Sequence, residues 1–433
     1  MRRLSWGLVG NNAEDDRLSR RVRTCRLNGG YNMTQGRMHT MTQVRDGFSL
    51  AHRAALMVAR ARRTLMTIAS ALIVASLAVV GVGYAGPIDN LAVLNFGGSV
   101  GIPGGLCFFC NIPTFAPGGL KGKSPTGNIT SGALIGATSI TTTPEGALAV
   151  SSGALSAVME FAPNATGASG PVLFIAPGTP PLSKTFDIAL PQGIGFVPKA
   201  LGLPFAESFY VANFVGDPKP ANVGSVIMFP GNAGTSSWTG NILGTIHNTV
   251  VCKALGLKDT ALLLPVGVAT DAKGNVYVAN SGIPAMKIPA YVTEYSLSDV
   301  TTSTTGCIAP VNLVGLGKLI TANGVAVDPA GNIFVSDLNA NSIFEFSPTG
   351  AVLTEIFGKK TTLRSPMGIA LSPAGLKAGT DDLYVANSLR GSILLFQNIN
   401  SIGVQKNLKG IMVVKGPKTR VTIPTGATNP PVI

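Results

Sequence analysis

The side chains of this chain best suited to metal, redox or nucleophilic chemistry are five cysteines and three histidines. Cys107-Phe108-Phe109-Cys110 has the spacing of a redox pair, but no histidine follows Cys110, which removes covalent haem attachment. A zinc site there would need two further ligands. Local disulfide or other structural pairing is the plainer reading, and Cys252 and Cys307 form a second candidate pair. Cys25 lies far upstream, leaving an even four beyond it. His39 and His52 also lie upstream, so a multi-histidine metal site or a triad built on histidine would have only His247 to draw on. An exposed loop histidine and a catalytic base are the two readings of His247. Asp271 and Asp328 precede Gly274-Asn275 and Gly331-Asn332, where an aspartate caps turn backbone; metal ligation is the sharper alternative.

A recurrent polar set remains. Asn213, Asn280, Asp337 and Asn387 each end a short apolar run, as in Tyr277-Val278-Ala279-Asn280. With Gln192 and Asn323 they form the candidate ligand-binding set. Arg390 joins them from an equivalent loop as one of three arginines beyond residue 85, with Arg364 and Arg420. Asp217, Lys219 and Lys287 sit in the long connections that follow such runs, where function tends to reside on a rigid scaffold.

The elements that must position these residues are short strands. Residues 322–350 give the unit: an alternating run at 324–327, a turn Asp328-Pro329-Ala330-Gly331-Asn332, a second run at 333–335 and a third at 342–346. The frame recurs around Gly193, Gly267 and Gly368, and more weakly around Ser139. A sixth copy is split, with residues 410–414 expected as its first strand and residues 90–96 as its second. Anchors at 139, 193, 267, 324, 368 and 410 lie 54, 74, 57, 44 and 42 positions apart, and a four-stranded blade takes about 40–50 residues. One such sheet cannot bury both faces. Stacking six around an axis does so, and pairing N-terminal with C-terminal strands closes the ring. The expected fold is an all-β, six-bladed β-propeller over residues 86–433.

Upstream, residues 1–56 are arginine-rich without apolar periodicity and read as a disordered leader or as sequence before the true start at Met57. Residues 57–85 carry Arg60, Arg62 and Arg63, then the apolar run 65–83, with Gly83 and Ala85 placed for cleavage before Gly86. This is an export signal, or a membrane anchor if uncleaved. Of 33 Lys and Arg, 13 lie in residues 1–85 with 4 of the 20 Asp and Glu, so the remainder carries only +4. That is too little, and too dispersed, for a nucleic-acid partner.

The segment Gly324-Val325-Ala326-Val327-Asp328-Pro329-Ala330-Gly331-Asn332-Ile333-Phe334-Val335-Ser336-Asp337, with the Tyr-Val-Ala-Asn segments at 210, 277 and 384, resembles the NHL-repeat family of β-propellers over most of residues 139–396. The resemblance implies that the Gly324-type strand lines the channel, with a strand at 352–357 outermost. Related six-bladed propellers include calcium-dependent lactonases, streptogramin-type lyases and NHL domains that bind proteins or RNA. Lactonase-like sites would place ligands at Gln192, Val266, Asn323 and Met367, of which only Asn323 with Gly324 fits. The expectation is an exported, monomeric binding or scaffold module whose loop face holds a protein or small ligand. The alternative is a hydrolase or lyase with a divalent cation, calcium above all, in the channel.

Overall fold

Each inner hairpin is set by its turn. In the computed structural model Asp328 Oδ1 accepts from Asn332 N (2.7 Å) and Oδ2 from Asn332 Nδ2 (2.7 Å), while Gly331 takes φ +86°. Asp271 repeats this on Asn275 (2.9 Å to both groups), with Gly274 at φ +76°. The two aspartates thus do the turn chemistry their context predicts, and the glycines supply the positive φ. The structure describes residues 91–95, 111–115, 124–143, 146–176, 188–197, 207–214, 224–231, 242–372, 381–415 and 424–428. The leader, residues 57–85, Cys107, Cys110, Asp217, Lys219 and Arg420 lie outside them.

These turns generate six sheets, numbered here as blades by the order of their inner strands. Blade 1 begins with Ala137–Thr142, blade 2 with Pro191–Val197, blade 3 with Pro265–Thr270, blade 4 with Ala322–Val327 and blade 5 with Pro366–Leu371. Second strands follow at Leu148–Ser152, Glu207–Asn213, Val276–Asn280, Ile333–Asp337 and Leu383–Asn387, each antiparallel to its inner strand. In blade 6 the inner strand Pro424–Thr428 pairs antiparallel with Leu91–Asn95, joining the two ends of the chain. The six inner strands touch in cyclic order, blade 6 returning to blade 1.

Two details differ from expectation. Ile411–Lys415 is not the first strand of the split blade; it pairs with Ser392–Phe396 as the outermost strand of blade 5. An apolar run of that length suits any strand position. Pro424-Thr425-Gly426 carries the Pro-x-Gly start shared with Pro191, Pro265 and Pro366, and that is the missed signal. Blade 4 also has a fifth strand, Gly403–Lys406, added in parallel to Val352–Phe357 from the blade 5 insertion.

The repeated glycine serves the ring, not a turn. A Cβ at Gly193 would lie 2.4 Å from the Val266 carbonyl oxygen, one at Gly267 2.1 Å from that of Asn323, and one at Gly324 2.4 Å from that of Met367. The inner strands of blades 2, 3 and 4 therefore each pack their glycine against a carbonyl of the next. The core lies between blades: Phe334, Ile343 and Ile356 of blade 4 meet Ile369, Leu383 and Phe396 of blade 5, and Tyr210 and Met228 of blade 2 meet Val268 and Tyr295 of blade 3. Both faces of the inner three strands of each sheet are covered, so those strands read as almost wholly buried, while the outermost ones are partly exposed.

Candidate ligand-binding face

All the candidate residues that end second strands come to one face, where the chain enters the inner strands. Asn213, Asn280, Asp337 and Asn387 are fully buried there, each opposite the first residue of its inner strand. Their oxygens hold the backbone two residues before that strand. Asn213 Oδ1 accepts from Ala189 N (3.2 Å), Asn280 Oδ1 from Leu263 N (2.9 Å), Asp337 Oδ2 from Ile320 N (2.5 Å) and Asn387 Oδ1 from Arg364 N (2.6 Å). Asp337 Oδ1 also accepts from Thr321 N (3.1 Å) and Ala340 N (3.0 Å). The recurrent polar position is thus a latch that satisfies the backbone of each entering loop.

Gln192 and Asn323 differ. A register shift in each of the first five inner strands leaves Thr138, Gln192, Val266, Asn323 and Met367 as the odd residues of a bulge. Gln192 Oε1 and Asn323 Oδ1 are buried without a hydrogen-bond partner. The neighbours Val266 and Met367 are apolar, so this ring offers amide oxygens and no carboxylate. Among the described residues no group of three or more His, Cys, Asp or Glu is placed to hold a metal ion.

Cys252 and Cys307 are joined, their Cα atoms 5.6 Å apart. The bond ties helix α1 (Thr249–Ala254), in the connection from blade 2 to blade 3, to the outer loop of blade 3. His247 is half-buried, not exposed, and lies against Gly306 beside this bond; its backbone N donates to Gly306 O (2.9 Å).

The exposed part of the face is basic. In blades 3 to 5 the connections on this side, 247–264, 281–290, 315–321, 338–341, 358–365 and 388–391, carry Lys253, Lys258, Lys287, Lys318, Lys359, Lys360, Arg364 and Arg390. Their one acid is Asp259, paired with Lys253 at 2.7 Å. On the opposite face the turns from inner to second strand carry Asp271, Asp328, Asp381 and Asp382 against Lys273 among the described residues. There Asp381 is pushed up from 3.8 to about 6 by burial and by the neighbouring Asp328 and Glu345 carboxylates. Glu345 is also raised, chiefly by burial. Among the described residues of blades 3 to 5, the loop side is thus basic and the inner-hairpin turns on the opposite side acidic.

Between blades 4 and 5 the basic face opens into a cleft of about 610 Å³, lined by Asn341, Lys359, Thr362, Leu363, Arg364 and Arg390 among others. The three cations are exposed, and none pairs with a carboxylate among the described residues. The Asn387 latch fixes the wall: its Oδ1 holds Arg364 N and its Nδ2 donates to Thr362 O (2.9 Å), while Leu389 N donates to Arg364 O (3.3 Å). Asn341 Oδ1 accepts from Ser365 N (2.7 Å). Asn341, Thr362 and Ser365 all have positive φ, 54°, 62° and 51°, so this rim is held in sparsely populated backbone states. Arg390 was legible in sequence as a candidate. Arg364 and Lys359 were not, because nothing local marks them as its neighbours.

No family model matches the chain, and no curated protein matches its sequence significantly. Among solved structures, a chain of a nidogen/laminin complex aligns over 78% of this chain and 97% of its own, at TM-score 0.47 and 11% identity. A protein of unknown function from Bacteroides caccae aligns over 79% and 98%, at TM-score 0.45 and 12% identity. Identities of this order bear on neither family nor function.

Proposed function

We propose that this chain is an exported, NHL-type propeller acting as a binding module, with its loop face engaging an acidic partner. The NHL assignment is supported by the repeat motif at 324–337, and export by the basic and apolar pattern of residues 57–85. The charge polarity of the two faces carries the binding reading. Eight cations against one acid on the loop side of blades 3 to 5 present a positive field to an approaching partner, while the acidic turns face away. The buried Asn and Asp set serves this face indirectly, by fixing the loops that bear the cations.

Face, not net charge, must decide binding. Lys318→Glu and Lys273→Glu change the net charge equally, on opposite faces. Retention on an immobilised polyglutamate surface at low salt should weaken several-fold in Lys318→Glu and stay unchanged in Lys273→Glu. Equal weakening in both would refute the reading.

A second reading, a channel-centred hydrolase or lyase using a divalent cation, is favoured by one observation, the unpartnered Gln192 and Asn323 oxygens. Calcium prefers six to eight oxygen ligands including carboxylates. A melting midpoint that rises with calcium and falls with chelator would put this reading first.

A further inference from the structure

We propose that the cleft between blades 4 and 5 binds a tetrahedral oxyanion, a phosphate or sulfate carried as an ester on a small organic body. This rests on the loop-face reading and narrows it to one site. Arg364 and Arg390 come from different connections, and Lys359 completes a set of three cations around one cleft with no carboxylate in its lining. Like charges gathered this way repel, and an anion among them relieves the repulsion. Guanidinium forks bind oxyanions in bidentate fashion, and an ammonium adds a point charge. A tetrahedral group has three free oxygens to share among three donors, whereas a carboxylate has two.

The site is also preorganised. Arg364 is held at its backbone N by Asn387 and at its backbone O by Leu389 N, so the root of one guanidinium is fixed to the turn that carries the other. That lowers the ordering cost of binding. At about 610 Å³ the cleft is far larger than an inorganic oxyanion, which leaves room for the attached body, and Ala340 and Leu363 in its lining offer that body apolar contact.

The test is calorimetric titration of the full chain with inorganic phosphate, sulfate and glycerol 3-phosphate, ionic strength held constant with sodium chloride. Saturable binding is expected, tighter for glycerol 3-phosphate than for inorganic phosphate. Arg364→Gln with Arg390→Gln should weaken it at least about tenfold, and the corresponding double Lys variant should fall between, because charge is kept and the fork is lost. Melting midpoints in chloride alone should match across the variants, showing that the cleft and not the fold was changed. Absence of saturable binding, or equal affinity in the double Gln variant, overturns the proposal. The polyglutamate comparison separates the two claims. If Lys318→Glu and Lys273→Glu still differ there, the face reading survives loss of the oxyanion site; if they do not, saturable arginine-dependent titration leaves the site standing alone.

Discussion

Asp381 is a carboxyl placed where its charge is unwelcome, and replacing it should stabilise the protein in a pH-dependent way. It is 4% exposed, next to Asp328 and Glu345, with Oδ2 lacking any hydrogen-bond partner. Burial first, then these carboxylates, raise it from 3.8 to about 6. A folded-state value above the unfolded one means stability that is full below about 4 and is lost as pH rises through about 6. At 1.36 kcal/mol per unit the step corresponds to about 3 kcal/mol. Water reaching the rim of the turn and the coupling to Glu345 reduce what one substitution recovers to about 1–2 kcal/mol. Asp381→Asn keeps the shape and a hydrogen-bond donor and cannot ionise. Urea unfolding of wild type and variant at pH 4.5 and pH 8.0 reads the effect. The variant should gain about 1–2 kcal/mol at pH 8.0 and only about a third of that at pH 4.5, where folded Asp381 holds its proton but the unfolded chain has largely lost it. An equal difference at both values, or a less stable variant at pH 8.0, would refute the reasoning.

Other outcomes follow from the ring and its latches. Gly267→Ala puts a Cβ 2.1 Å from the Asn323 carbonyl oxygen, so the inner strands must part; a loss of about 3 kcal/mol is expected by denaturant unfolding, against under 1 for Gly132→Ala, whose added Cβ meets nothing within 4 Å. Asp337→Ala strands three backbone N–H groups at once and should cost about 3–5 kcal/mol, read by the same unfolding series and by faster amide exchange at Ile320, Thr321 and Ala340. Reducing Cys252–Cys307, whose partners lie 55 positions apart, should lower stability by about 2–4 kcal/mol, and the Cys252→Ser, Cys307→Ser double variant should show that loss without reductant.

Much of this protein was written locally. Turn residues with preset or positive φ, Asp271 and Asp328 capping their own hairpins, and runs ending in Asn or Asp repeat along the chain, and repeated units with two apolar faces can bury them only by stacking in a ring. That chemistry acts over a few residues, so the sequence alone determines blade, repeat and propeller. Tertiary structure decided what depends on distant neighbours. It chose Pro424–Thr428 over Ile411–Lys415 for the closing blade, since strand periodicity encodes which face is buried and not which strand lies alongside. It turned Asn213, Asn280, Asp337 and Asn387 inward as latches, because an amide or carboxylate near an entering loop finds unpaired N–H groups before it finds a ligand. And it brought Lys359, Arg364 and Arg390 to one cleft from two separate connections, a meeting fixed by blade packing and by the Asn387 bridge to Arg364 N, which no local pattern records.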